Sequence, residues 1–233
     1  MGKRLIQQRR GRGTLTYRGP KFRFKGKVKH HHLETSGKVI DFVHCAAHSA
    51  PLMKVAYLSG EEVLNFAPEG IKIGDEITVG GSTIKDGNVL ALKEIPEGTL
   101  IHNIELNPGD GGKLVRSSGT FAKIVAKTEE NIRVALPSKK EKVFLPNCRA
   151  AIGIVAGAGR LEKPFLKAGT RSKRMEARNK LYPTVSGVAM NAVDHPFGGS
   201  SSNSKGRPTQ APRNAPPGRK VGAIAPRRTG RKR

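Results

Sequence analysis

The chain has 233 residues, with 43 Lys and Arg against 18 Asp and Glu, and a formal net charge of +25. Such a charge calls for a polyanionic partner, RNA, DNA or an anionic membrane, while an apolar content of 36% implies that part of the chain stays outside any core. The longest apolar run, residues 150–159, is ten residues with three Gly, against the ~20 that a bilayer span needs, and two cysteines, Cys45 and Cys148, are too few for a disulfide framework. The charged N-terminus is followed by no apolar stretch, so no secretory signal or membrane is expected and a reducing, cytosolic setting is the default.

Residues 1–34 read as a basic extension. The first thirty residues hold eleven Lys and Arg and no acid, with Arg9, Arg10, Arg12 and Arg18 as candidate phosphate contacts. In residues 21–29 every odd position is basic: Lys21, Arg23, Lys25, Lys27 and Lys29. An extended strand would set these five cations on one side and Phe22, Phe24 and Val28 on the other. That suits a strand with one face on protein and one on phosphates. The alternative is an edge strand guarded by Lys.

Residues 31–159 carry fourteen basic and fifteen acidic residues and are expected to fold as an ordinary β domain. Short segments rich in β-branched residues recur at 39–44, 53–58, 71–73, 76–79, 89–92, 100–106, 120–126, 132–136, 142–145 and 152–155, divided by Gly, Pro and Asn. Roughly ten strands at this spacing suit two small barrels of about five each, an architecture that manages sheet edges and binds oligonucleotides in one common form. Ile95–Thr99 is the expected junction. No repeat of 20–50 residues is visible.

Residues 160–233 hold eighteen basic residues and three acids. A helix is expected over Ser172–Leu181 with Ser172 as N-cap. Lys173, Arg174, Arg178 and Lys180 cover much of it, so it should face RNA rather than a core, with Arg171 just before it as a further candidate contact. From about 195 onward the chain is rich in Gly, Pro and Ser and has few apolar anchors. It is expected to form no core of its own and to order on a nucleic acid. Its candidate contacts are Lys205, Arg207, Arg213, Arg219, Lys220, Arg227 and Arg228.

Three groups of residues invite a chemical reading. His44, Cys45 and His48 have spacing suited to half of a zinc site, but Cys148 lies far away with no paired ligand, so no metal site is expected. The histidines at 30–32 fit hydrogen bonding or stacking beside RNA. Asp194, His195 and Ser200 are too close in sequence, on a Gly/Ser loop, to converge as a nucleophilic triad. The Gly-rich loops 109–112 and 157–159 lack the Gly-Lys-Ser/Thr of a nucleotide-binding loop. They read as turns, although Lys113 and Arg116 beside the first would suit a close backbone approach to phosphate.

Longer motifs carry a resemblance. Leu181–Gly199 (LYPTVSGVAMNAVDHPFGG), His102–Thr120 (HNIELNPGDGGKLVRSSGT), Asn147–Ala151 (NCRAA), Gly11–Gly13 and Tyr17–Gly19 occur in an order and spacing that resemble the universal ribosomal large-subunit protein two family in its archaeal and eukaryotic form. The resemblance implies a mainly β fold: an oligonucleotide-binding-type barrel over 35–95, an SH3-like barrel over 96–186, and basic extensions at 1–34 and 187–233 that enter ribosomal RNA. It implies a structural role near the peptidyl-transferase region that supports subunit association and tRNA binding, with the RNA performing the chemistry. The loop at His195, Phe197, Gly198 and Gly199 is the motif of most interest. Bacterial members place His where this chain has Phe197. Phe transfers no proton, which leaves base stacking or packing in an RNA crevice. After Gly199 the chain continues Ser-Ser-Ser-Asn-Ser where the family usually has a third Gly, a small departure.

The expected function is therefore structural binding of large-subunit rRNA beside other ribosomal proteins, with tRNA and the small subunit in proximity. No enzyme activity is expected, and no cofactor beyond Mg2+ carried by the RNA. The competing readings are a general nucleic-acid-compacting protein and a hydrolase using His195.

Overall fold

A computed structural model describes residues 2–19, 22–200 and 202–227. The chain divides into two compact units: residues 20–165, and residues up to 19 joined with those from 166 onward. Lys21 and Arg228 lie outside the described residues. No described helix is long and apolar enough to cross a membrane.

The first unit is mainly β. Its strands are β1 (Thr35–Val43), β2 (Leu52–Tyr57), β3 (Glu62–Phe66), β4 (Glu76–Val79), β5 (Val89–Ala91), β6 (Leu100–His102), β7 (Ala122–Lys127), β8 (Ile132–Ala135), β9 (Glu141–Phe144) and β10 (Arg149–Ile152). They pair in the order β3-β2-β1-β4-β5-β10-β6-β7-β8-β9. Neighbours are antiparallel except β4 and β5. Bulges between Val39 and Asp41 in β1 and between Ile124 and Ala126 in β7 shift the register. An extra residue there bends the strand and increases its twist.

Three buried clusters lie against this sheet, one of them gathering Val28, Cys45, Leu52, Phe66 and Val155 beside the N-terminal run, and the other two are its larger cores. Of these two, one gathers Val39, Met53, Val55, Ile77 and Val79; the other gathers Ile101, Ile104, Ile124, Ile132 and Val134. β5 and β10 serve both. Val89 and Ala151 join the first core, while Leu90, Ala150 and Ile152 join the second. Alternate side chains of a strand point to opposite faces, so β5 and β10 form a wall buried on both sides. The last of these ten strands in sequence therefore sits mid-sheet, and through it the sheet continues from β5 to β6, the strands on either side of the Ile95–Thr99 stretch expected as a junction.

Several expected elements are corrected. Residues 71–73 form no strand but lead into a turn at 73–74, where the Asp75 carboxylate accepts the Lys72 N–H at 2.8 Å. The expected strand at 152–155 is displaced to Arg149–Ile152. It stops at Gly153, whose φ of +102° brings the backbone within 2.8 Å of the Asp86 carboxylate at the place a Cβ would occupy. β3 was not expected.

The second unit contains α1 (Ile6–Gly11), α2 (Ala168–Ala177), two 3-10 turns at Leu15–Tyr17 and Gly187–Ala189, and a parallel pair of β11 (Gln210–Ala211) with β12 (Ala223–Ile224). α2 starts a turn earlier than expected: Lys167 is its N-cap, and Ser172 lies inside it. Neither helix buries a residue. Leu5, Phe197 and Val221 form a small core with Val188 packed on it. The segment from 195 onward thus contributes Phe197 and Val221 to a core that it shares with Leu5 and Val188 from elsewhere in the chain. Three apolar anchors drawn from distant parts of the chain suffice for one.

Candidate nucleic-acid interface

The basic run before β1 is an extended strap without strand pairing. From 25 to 30 it alternates as expected. Lys25, Lys27 and Lys29 are exposed, Gly26 is half-buried, and Val28 and His30 are buried. Val28 packs with Cys45, Leu52, Phe66 and Val155. Arg116 Nη2 donates to the Val28 carbonyl at 3.0 Å, and the His30 N–H donates to the Gly111 carbonyl at 3.2 Å. The strap therefore has a fixed backbone and a free row of ammonium groups. The alternation fails nearer the start: Phe22 is 98% exposed. Phe24 is partly exposed and stacks on His48 at 5.7 Å. Arg23 is exposed, and its carbonyl oxygen accepts from Cys45 Sγ at 3.8 Å.

Beneath the strap lies an ion pair. Arg149 Nη2 stands 3.1 Å from Glu105 Oε1, with Glu105 fully buried. Arg149 Nη1 also donates to the His31 carbonyl at 2.7 Å. The Gly109, Gly111 and Arg149 N–H groups donate to the same carboxylate. Burial alone would raise the Glu105 carboxyl, but the Arg149 and Gly109 groups together hold it below the usual carboxylate range. Gly109 and Gly111 thus turn their N–H groups inward on Glu105, while the Asp110 N–H donates to the Asn107 carbonyl and the Gly112 N–H to the Asp110 carboxylate, so the loop's N–H groups are engaged within the protein. Sequence reasoning left Glu105 and Arg149 unassigned, because nothing in the local pattern pairs residues so far apart.

Of the three histidines expected beside RNA, His30 and His31 are buried within the protein. His30 Nε2–H donates to the Asn103 carbonyl at 2.7 Å, and burial pushes its pKa down to about 4. His31 is buried with Nε2 at 3.1 Å from a Glu61 oxygen. His32 is exposed and stacks on His31. The half-site of His44, Cys45 and His48 does not assemble: Cys45 is buried on the Arg23 carbonyl, and the His48 ring lies against Phe24 and Phe66.

The second unit collects most of the other predicted contacts. Arg9, Arg10 and Arg12 on and after α1 are exposed, with the Arg10 guanidinium 5.5 Å from the Tyr17 ring centre. Arg18 is exposed, and its Nε donates to the Gly13 carbonyl at 2.6 Å. On α2, Arg171, Lys173 and Arg174 are exposed, with Arg171 over the Tyr182 ring at 5.2 Å. Arg178 caps the helix half-buried, and Lys180 beyond it is exposed. Lys205, Arg207, Arg213, Arg219 and Arg227 are exposed, and Lys220 is half-buried.

A cavity of about 400 Å³ is lined by Lys3, Arg4, Arg9, Asp194, His195 and Val221, among others. It brings the N-terminal basic run and the 194–199 loop together. Lys3 and Arg4 were not singled out from the sequence, although the acid-free start of the chain contained them. Asp194 is 3.1 Å from Lys3 Nζ. His195 Nδ1 accepts the Phe197 N–H at 3.0 Å, and Ser200 Oγ accepts the Ser202 N–H at 3.2 Å. The three groups of the supposed triad thus turn to other partners. Burial lowers the His195 pKa. Phe197 is buried with Leu5 and Val221, its ring 5.1 Å from His195 and 5.6 Å from Lys205 Nζ. It packs within the protein here rather than standing ready for a base. Gly198 and Gly199 let the loop lie directly on Met190–Ala192, where a side chain would meet their backbone or the Ala192 methyl.

The profile of the family described as Ribosomal Proteins L2, C-terminal domain, matches residues 85–217. The chain is 52% identical to the large ribosomal subunit protein uL2 of Methanothermobacter thermautotrophicus and 53% identical to that of Methanosphaera stadtmanae, with 100% of each chain covered. It is 49% identical to the uL2 protein of Natronomonas pharaonis, over 99% of this chain and 97% of that relative.

Proposed function

The chain belongs to the ribosomal protein L2 family, and from that membership we propose that it binds large-subunit rRNA through its strap and its terminal unit, with the β unit as the frame that holds the strap in place. It is a structural constituent of the large ribosomal subunit, working beside other ribosomal proteins and not as an enzyme. The observation that carries the RNA contacts is the division of charge. The terminal unit spans 22 basic and 2 acidic residues, whereas the unit of residues 20–165 spans 21 and 16. Lys and Arg position a protein on phosphates, and Arg also stacks on bases. The family resemblance supports a finer reading: a position near the peptidyl-transferase region, with support of subunit association and tRNA binding. Mg2+ in this reading belongs to the RNA.

Salt dependence tests the contacts. Each phosphate neutralised contributes roughly 0.7–0.9 to the slope of log K against log salt. Replacing Lys25, Lys27 and Lys29 together with Gln should lower the slope for an rRNA fragment by about 2 and leave the fold intact. An unchanged slope would remove the strap from the interface. Competition with duplex DNA separates this reading from general compaction, because a compacting protein would lose as much binding to DNA as to structured RNA.

A further inference from the structure

We propose that His31, His32 and Glu61 form a binding site for a borderline divalent metal ion, with Zn2+ as the best match. One ligand atom from each residue lies within 4.8 Å of the other two. One pair, His31 Nε2 and Glu61 Oε2, is 3.1 Å apart. Ligands about 2.0–2.2 Å from a tetrahedral ion stand on the order of 3.3–3.5 Å from one another, so this pair needs almost no adjustment. His32 and Glu61 are exposed and free to turn the remaining distance.

The surroundings suit a ligand site as well. His31 is held in place: its side chain is 1% exposed, and its ring lies 4.6 Å from Tyr57 and 4.9 Å from His32. Its Nδ1 is 3.0 Å from the Leu33 carbonyl oxygen and 3.2 Å from the Leu33 N–H. Leu33 can therefore support either tautomer. Without metal, Nε2–H donates to Glu61, with Ser59 Oγ 3.3 Å away, and Nδ1 accepts from the Leu33 N–H. With metal, Nδ1–H donates to the Leu33 carbonyl and Nε2 presents its lone pair. A backbone carbonyl holding the second nitrogen is the usual outer partner of a ligating histidine. Two imidazoles and one carboxylate favour Zn2+, Co2+, Ni2+ or Cu2+ over Mg2+ or Ca2+, and three protein ligands leave an open position for water. The inference does not depend on the RNA reading. It concerns a different place from His44, Cys45 and His48.

The test uses the purified full chain, stripped of metal by a chelator and titrated with Zn2+ and with Co2+ as a visible probe, in excess Mg2+. The wild type should take up Co2+ with the d–d absorption of a low-coordinate site and lose it to stoichiometric Zn2+. His32→Ala and Glu61→Gln should each weaken the affinity by about tenfold or more, while His44→Ala leaves it unchanged. Zn2+ should raise the melting temperature of the wild type and of neither site variant. Both replaced side chains are exposed, so the fold should survive, and circular dichroism checks that it does; if one variant fails to fold, the other decides. A wild type that takes up no Zn2+, or site variants that bind it as tightly as the wild type, would overturn the proposal and leave His31–Glu61 as an internal hydrogen bond.

Discussion

Phe197 shows how much a small core can rest on one residue. Its ring fills the small core with Leu5 and Val221, and Gly222 (φ +77°) brings the backbone to within 3.4 Å of its Cζ at the place a Cβ would occupy. Phe197→Ala should cost about 2–4 kcal/mol in the terminal unit, toward the lower part of the large-to-small range because the site is small and close to solvent. Faster proteolysis or amide exchange between residues 190 and 222 would register it. Subunits that incorporate the variant normally yet fail in peptide-bond formation would contradict this role. His30 and His102 make a second case. Both are buried, His102 Nδ1–H donates to the Gly153 carbonyl at 2.9 Å, and burial pushes both pKa values down to about 4. Above about pH 6.5 both rings are neutral in the folded and unfolded states, so their stability is fully present. As pH falls from 6.5 toward 4 the unfolded chain takes up protons that the folded chain refuses. Stability then declines, by up to about 3 kcal/mol for each ring. Urea midpoints of the β unit should fall over that window, and the fall should be shallower in His102→Leu. A midpoint that holds steady between pH 7 and pH 5 would contradict both assignments.

At the level of elements, the shared wall is the most demanding feature. Ala150 is fully buried against one core and Ala151 is 5% exposed against the other. Overpacking a filled core costs about 1–3 kcal/mol, and at β10 neither side has slack. Ala150→Leu should therefore destabilise the β unit by about 3 kcal/mol in urea unfolding, whereas Lys142→Leu on β9, which is exposed, should change little. The wall also marks where sequence reading falters. β1, β2, β4, β7, β8 and β9 were legible because β-branched residues recur along them between turn signals. β10 reads as one smooth apolar run with residues 153–155, and the pattern alone sets the strand too far along, past Gly153. β3 is obscured because Glu62 and Asn65 interrupt its pattern, although Asn65 is buried, its side-chain oxygen accepts from the Tyr57 hydroxyl at 3.2 Å and its side-chain nitrogen donates to the Lys29 carbonyl at 2.7 Å. Ser172 misled for a chemical reason: Ser is a good cap, but here Lys167 takes that place without any side-chain bond. The Lys row of the strap was legible from its alternation. The metal-ligand set was not, because Glu61 reaches His31 only through the β2–β3 turn.

For the whole molecule, the segregation of charge could be counted from the sequence, but the meeting of the two chain ends in one unit could not. That meeting rests on Leu5, Phe197 and Val221, single anchors with no shared period. Burying three such side chains yields on the order of 5–8 kcal/mol before any ordering cost is subtracted. Against this small core stand 22 basic and 2 acidic residues. Like charges at this density repel, and salt screens them over a Debye length of about 10 Å at 0.1 M. The β unit has many buried apolar residues and nearly balanced charge, so it should be indifferent to salt. Hydrogen exchange on the full chain can read both units at once. Raising NaCl from about 0.05 to 0.5 M should slow exchange at the Val221 and Phe197 amides several-fold and leave the Ile124 and Val134 amides unchanged. A short polyphosphate should do the same at far lower concentration, because it neutralises the unit by direct contact as an RNA backbone would. Equal salt responses in the two units would mean that charge does not govern the terminal unit's stability. Protection by NaCl but none by polyphosphate would mean that its basic side chains are not arranged for phosphates.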